Sequence, residues 1–275
     1  MSHDKQEVPG LSGMVKLIET VAQLRSEEGC PWDKKQTHES LIPYLLEETW
    51  EVIDEIQSNK TAEPLKLELG DLLLQVVLHA QIASEEDRFD LDQVAEAIAE
   101  KMIHRHPHVF SQRNSAISEQ ELHHQWNRLK KEKNNQQSVL EGVPLSQPAM
   151  LTSFAYGKRA ANLGFDWENT EDVYKKILEE LGELREEMDK SDPVKKNLEH
   201  EIGDLLCAVT TLARFYKINP EIAMKKCNDR FKNRFSYVED AIFRESQNNN
   251  KLTLDEMEEV WQEAKRKLKK AGIEG

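Results

Sequence analysis

Cysteine is scarce. Cys30, Cys207 and Cys227 are three in 275 residues, odd in number and far apart, which excludes a disulfide framework and a Cys-x-x-Cys metal knuckle. A reducing, cytoplasmic setting is the expectation. Eleven glycines and nine prolines are few for a turn-rich β protein, and aromatic residues make up only 7%. Long apolar runs are missing too: the densest, residues 65–83, is broken by Lys66, Glu68, Asp71, Gln75, His79 and Gln81, and the first ten residues hold no apolar signal core. No membrane association is expected. Basic charge is the minority sign, 37 Lys and Arg against 51 Asp and Glu, for a net charge of −14. Direct nucleic-acid binding, which needs clustered cations, is therefore not expected.

What is present is 38% hydrophobic and 32% charged residues, a balance that suits long amphipathic helices. The chain also repeats itself. Leu45-Leu46-Glu47-Glu48-Thr49-Trp50-Glu51 is answered by Ile177-Leu178-Glu179-Glu180-Leu181-Gly182-Glu183. Glu68-Leu69-Gly70-Asp71-Leu72-Leu73 is answered by Glu201-Ile202-Gly203-Asp204-Leu205-Leu206. Upstream, Cys30-Pro31-Trp32-Asp33 corresponds to Gly164-Phe165-Asp166-Trp167. Downstream, Lys101 and Arg105 correspond to Arg230 and Arg234, and Trp126 and Lys130 to Trp261 and Lys265. The expected fold is all-α with almost no strand: two tandem helical-bundle modules, 11–133 and 149–272, joined by a polar, proline-punctuated linker over 134–148.

Periodicity and capping residues predict helices near 11–28, 37–58, 62–86, 91–105 and 118–135, with counterparts near 149–163, 170–190, 193–217, 220–244 and 254–271. Ser118 with Glu121 and Thr253 with Glu256 read as capping boxes. Asn219 reads as an N-cap before Pro220. The second long helix of each module is apolar nearly all round, so it should lie centrally and leave apolar surface for a homodimer.

Residues three or four apart share a helix face, so Glu48 with Glu51 and Glu68 with Asp71 can bring four carboxylates into one volume. Glu180, Glu183, Glu201 and Asp204 can do the same in the second module. At this acidity the five-residue glutamate spacing arises about twice by composition alone, so by itself it means a solvated face. The matched Gly-Asp block in both copies is what turns it into a metal site. Such hard oxygen ligands suit Mg²⁺, which keeps waters and is completed by phosphates. Gly70 and Gly203 inside helical stretches suggest a close approach of backbone or ligand. The basic and aromatic pairs supply what phosphates and a nucleotide need.

His104, His106, His108, His123 and His124 offer a weaker zinc pattern, since Pro107 interrupts it and the second module has no equivalents. Cys30 as a nucleophile faces the same objection, its counterpart being Gly164. A di-iron oxidase would need Glu-x-x-His where the chain has Glu68 to Asp71 and Glu201 to Asp204. An acidic, non-enzymatic scaffold leaves the twin Gly-Asp blocks without a role.

On these residues, together with His106-Pro107-His108-Val109-Phe110, the sequence resembles the MazG nucleoside triphosphate pyrophosphohydrolases of the tandem-domain bacterial kind, from about residue 17 to 269. The resemblance implies an all-α homodimer that hydrolyses NTPs or dNTPs to the monophosphate and pyrophosphate with Mg²⁺, for which Mn²⁺ can substitute. It assigns the catalytic metal ligands to Glu180, Glu183, Glu201 and Asp204, and their first-module equivalents to Glu48, Glu51, Glu68 and Asp71. Substrate contacts fall on Lys176, Glu180, Arg230, Arg234, Trp261 and Lys265, with Lys101, Arg105, Trp126 and Lys130 as counterparts. It also implies that the second module catalyses, although no position of the first is visibly disabled. A dUTPase-like, dCTPase-like or phosphoribosyl-ATP specificity stays open, as do attack at the α or β phosphorus and Glu179 or Glu47 as proton acceptor.

Overall fold

The local sequence signals are realised as caps. In the computed structural model, which describes residues 11–58, 61–111, 138–247 and 249–272, Thr253 and Glu256 form the expected reciprocal capping box. Asn219 accepts from the amides of Glu221 and Ile222 at 3.0 and 3.2 Å. Asp90 with Gln93, and Asn169 with the amide of Asp172, cap two further helices. Each cap satisfies amides that the first turn leaves without a partner.

The chain divides into two units, Met1–Asn134 and Asn135–Gly275. Among the described residues the first contains α1 (Leu11–Arg25), α2 (Pro31–Lys34), α3 (Ile42–Ser58), α4 (Ala62–Glu85), α5 (Leu91–Arg105) and α6 (Pro107–Phe110). The second contains α7 (Ala149–Ala161), α8 (Thr170–Met188), α9 (Lys195–Phe215), α10 (Pro220–Gln247) and α11 (Leu254–Lys270). Every described element is helical, so the fold is all-α. The helix expected over 118–135, with Ser118, Glu121, His123, His124, Trp126 and Lys130, lies outside the described residues.

In the first unit α4 packs on α3, α1 and α5, around a core of Val21, Leu41, Val77, Leu78 and Ile82. In the second, α9 packs on α8, α7 and α10, while α10 and α11 pair with each other. Both second helices are thus central in their units. Their apolar surface is nevertheless not all covered: Leu69 and Val76 on α4, and Ile202, Leu206 and Val209 on α9, stay exposed.

Three local differences from the periodicity have plain causes. The helix expected from 37 begins at Ile42, because Thr37 and Ser40 hold each other in a turn by reciprocal backbone-to-hydroxyl bonds of 2.9 and 3.2 Å. Two short helices, α2 and α6, escape a period count at four residues, although each opens on proline. Residues 138–148, read as linker, group with the second unit, where the Arg159 guanidinium donates to the carbonyls of Val139, Glu141 and Gly142.

No helix among the described residues is long and apolar enough to cross a membrane.

Candidate active site

Three residues separate α3 from α4, so the chain reverses and the two helices run side by side. That reversal brings Glu48 of α3 against Glu68 and Asp71 of α4, each offering a carboxylate oxygen within 4.8 Å of the others. Glu51, the fourth expected ligand, stands outside this trio, yet its charge helps to raise the Glu68 carboxyl. The second unit repeats the arrangement with Glu180 and Glu183 of α8 and Glu201 of α9. Asp204, one turn beyond Glu201, is outside that trio, and its carboxylate lies 3.5 Å from His200.

Crowding shows in the proton affinities. Partial burial, then the charges of Asp71, Glu51, Glu68 and Glu47, push the Glu48 carboxyl above its ordinary value. Glu68 is raised by loss of water first and by Glu51 and Asp71 after it. Glu183 is raised by loss of water, then by Glu180, with Glu201 and Glu179 adding to it and Lys176 opposing. Clustered anions of this kind gain most from a cation. The donor set is oxygen-only and fits Mg²⁺, whereas di-iron ligation would require histidines that neither trio contains.

The two trios differ in their surroundings. Glu180 is only 5% exposed and accepts a 2.7 Å ion pair from Lys176, which also reaches Glu179 at 2.7 Å. These two bonds raise the Lys176 pKa, so the ammonium stays charged. A glutamate kept for solubility would not be buried, and this one is. Of the two candidate proton acceptors, Glu179 is engaged by Lys176 and Glu47 is exposed. A cavity of about 170 Å³ opens beside Glu180, lined among others by Trp167, Lys176, Asp204, Cys207 and Ala208.

The expected substrate contacts form a second cluster on α10 and α11. The Arg234 guanidinium lies 5.7 Å from the centre of the Trp261 ring, which packs 5.2 Å from Phe231, itself stacked on Phe235. Arg230 is half-buried one turn before Arg234, and Lys265 is exposed one turn after Trp261. Their helix α10 touches α9, the carrier of Glu201 and Asp204. In the first unit Lys101 is exposed and Arg105 half-buried at the end of α5, while Trp126 and Lys130 lie outside the described residues.

Other expectations resolve differently. A Cβ built on Gly70 or Gly203 would meet nothing within 4 Å, so neither glycine serves a close approach among the described residues of its unit. Of the zinc candidates, the His106 and His108 rings sit 5.7 Å apart, and both metal-competent groups found among the described residues are carboxylate-only. Sequence reasoning did not connect Trp167 with the cavity it lines, nor its neighbour Asp166 with Arg214 of α9; the repeat singled out the first two as a motif, but only contact connects Asp166 to α9.

Carboxylate trios at a helix pair, with cations on the neighbouring helical hairpin, make a helical protein whose groups are suited to meeting a cation and phosphates. The model of the MazG nucleotide pyrophosphohydrolase domain matches the chain twice, at residues 36–110 and 168–238. A nucleoside triphosphate pyrophosphohydrolase of Escherichia coli (strain K12) is 42% identical over 255 residues, covering 91% of this chain and 96% of that protein. The Thermotoga maritima protein named nucleoside triphosphate pyrophosphohydrolase/pyrophosphatase MazG is 42% identical over 253 residues, covering 91% and 94%. The chain belongs to the MazG nucleotide pyrophosphohydrolase family, a family of hydrolases.

Proposed function

We propose that the protein hydrolyses nucleoside triphosphates, ribo or deoxy, to the monophosphate and pyrophosphate with Mg²⁺, and that it serves control of the nucleotide pool. The observation that carries this reading is the buried, lysine-paired Glu180 held with Glu183 and Glu201 beside a cavity, in a chain of this family.

Glu180, Glu183 and Glu201, completed by Asp204, would hold the metal, and Glu48, Glu51, Glu68 and Asp71 are the equivalent set in the first unit. Mg²⁺ bound there supplies Lewis acidity toward the phosphates and a lower pKa for a bound water. Lys176 presents a fixed positive charge next to the ligands and can turn it toward phosphate oxygens. Arg230, Arg234 and Lys265 extend that charge along the neighbouring hairpin, where it offsets the growing negative charge of departing pyrophosphate. Trp261, already under a guanidinium, offers a flat apolar face to the nucleotide.

A panel of eight NTPs and dNTPs, scored for monophosphate, diphosphate, pyrophosphate and orthophosphate with and without EDTA, tests the reading. Pyrophosphate release that EDTA abolishes is expected. Diphosphate plus orthophosphate as the main products would overturn the reaction class.

A further inference from the structure

Two histidines meet in the first unit, away from its carboxylates. His38 lies in the turn that precedes α3, and His79 lies on α4, two turns beyond Asp71. Their Nδ1 atoms are 2.7 Å apart, and the rings stack within 3° of parallel with centres 5.0 Å apart. Both residues are half-buried, and the Nε2 atom of each is shut off from solvent with no hydrogen-bond partner among the described residues.

Such a contact restricts the protons it can hold. A bond between two Nδ1 atoms needs one N–H and one lone pair, so in the neutral pair one ring is the Nδ1–H tautomer and the other carries its hydrogen on Nε2. A first added proton leaves a donor and an acceptor in place. A second sets two N–H groups face to face, brings two like charges into contact, and finds no acceptor for either Nε2–H among the described residues. Burial first, and then the charge of His38, hold the His79 ring below its ordinary 6.5. The folded protein therefore takes this proton less readily than the unfolded chain, so the contribution of the closed pair is present above pH 6.5 and is lost as pH falls through the folded value.

Neighbouring charges do little to offset this. On α4 the residues one turn to either side of His79, Gln75 and Ala83, are uncharged and buried. From α1 the cation Arg25 is already paired with Glu85 at 2.7 Å, and from α3 Glu48 faces Asp71, two turns away. Asp92 and Glu96 of α5 are exposed. Glu39, beside His38 in the turn, is drawn to it but is also exposed, where attraction is weak.

The second unit has no such pair. The repeat puts Thr170 at the place of His38 and Leu212 at that of His79, and there α8 starts directly on its Asn169 cap. In the first unit the turn stays outside α3, and the amides of Leu41 and Ile42 donate to the carbonyls of Thr37 and Glu39 at 3.2 and 3.3 Å. His38 thus pins to α4 the lead into the helix that carries Glu48.

We propose that His38 and His79 form a proton-operated latch between α4 and the turn ahead of α3, closed while at least one ring is neutral and open when both are protonated. Opening frees the start of α3 and leaves the second unit unaffected.

Hydrogen exchange of the whole chain in EDTA, expressed as protection factors at pH 7.5 and 5.5, tests the latch. In wild type the amides of Leu41 and Ile42 are expected to lose protection roughly tenfold or more at the lower pH, the size of one pKa unit, while the start of α8 loses none. The crowded carboxylates act in the opposite sense, since acid relieves their repulsion, so a loss isolates the histidines. His79→Leu should leave the turn poorly protected at both pH values. His79→Asn keeps an oxygen near the place of Nδ1 that accepts from His38 whether or not that ring is charged, so protection should stay high at both. No step in wild type, or the wild-type step in either variant, overturns the latch. Nitrogen-15 NMR of wild type at pH 7.5 judges it without a variant: an Nδ1–H tautomer on one ring of the pair upholds it, and two Nε2–H rings overturn it even if both variants fail to fold.

Discussion

Lys176 Nζ lies 2.7 Å from Glu180 Oε1, so the buried carboxylate of the second trio already has a cation before any metal arrives. Two positive charges then compete for one anion. Replacing Lys176 with Gln removes the competitor, and Mg²⁺ should bind the variant several-fold more tightly by calorimetry. The same variant should raise KM for the triphosphate by about tenfold, since the ammonium proposed above to turn toward the phosphates is lost. Weaker Mg²⁺ binding would show that Lys176 orients Glu180 for the metal.

The two units can be separated by one ligand each. Glu201→Gln and Glu68→Gln keep size and remove an anionic oxygen, so they act on metal and transition-state charge. Turnover should fall about a hundredfold or more in Glu201→Gln, whose unit holds the lysine-paired glutamate and the cavity, while Glu68→Gln keeps most of it. Comparable losses in both would mean two working or coupled sites. Full activity in Glu201→Gln would sink the assignment to the second unit.

Stability should respond to pH and metal with a definite sign. Glu48, Glu68 and Glu183 are all raised above their ordinary 4.5 in the folded protein. A raised carboxyl binds its proton more tightly when folded, so its contribution is fully present below pH 4.5 and is lost as pH rises through the folded value. Metal-free protein should therefore be held back at neutral pH by these groups, and Mg²⁺ should raise Tm more at pH 7 than at pH 5. Glu183→Gln should raise the metal-free Tm at pH 7 and shrink the Mg²⁺-dependent increment. A Glu183→Gln protein that melts lower without metal would contradict the repulsion.

Ile202, Leu206 and Val209 recur on α9 at helical spacing, are each more than 40% exposed, and would be covered in a homodimer. Light scattering should give twice 31.8 kDa, and Leu206→Glu should move the mass toward the monomer. A concentration-independent monomer in the unaltered protein would leave these faces without a second copy.

The tertiary structure also treats matched positions unequally. Glu48 and Glu180 are equivalent in the repeat, yet Glu48 is half-buried among like charges and Glu180 is buried against Lys176. Asp71 joins the first trio and its counterpart Asp204 does not join the second. A repeat fixes which helix and which face carry a side chain, because that follows from a period of 3.6 residues. It does not fix rotamer, burial or partner, which depend on neighbours far away in the chain.

From sequence alone came the all-α fold, the twin helix pairs, the caps at Asn219 and Thr253, and the carboxylates meeting across each pair, since all of these follow from spacing and local chemistry within short windows. Folding alone decided the start of α3 at a Thr37 and Ser40 turn, the open space around Gly70 and Gly203, and the joining of Arg214 to Asp166 beside Trp167. Arg214 and Asp166 are 48 residues apart, and nothing in the spacing relates them. Contacts at such separation are chosen by how whole helices pack, so they become readable only when α7 and α8 each lie against α9.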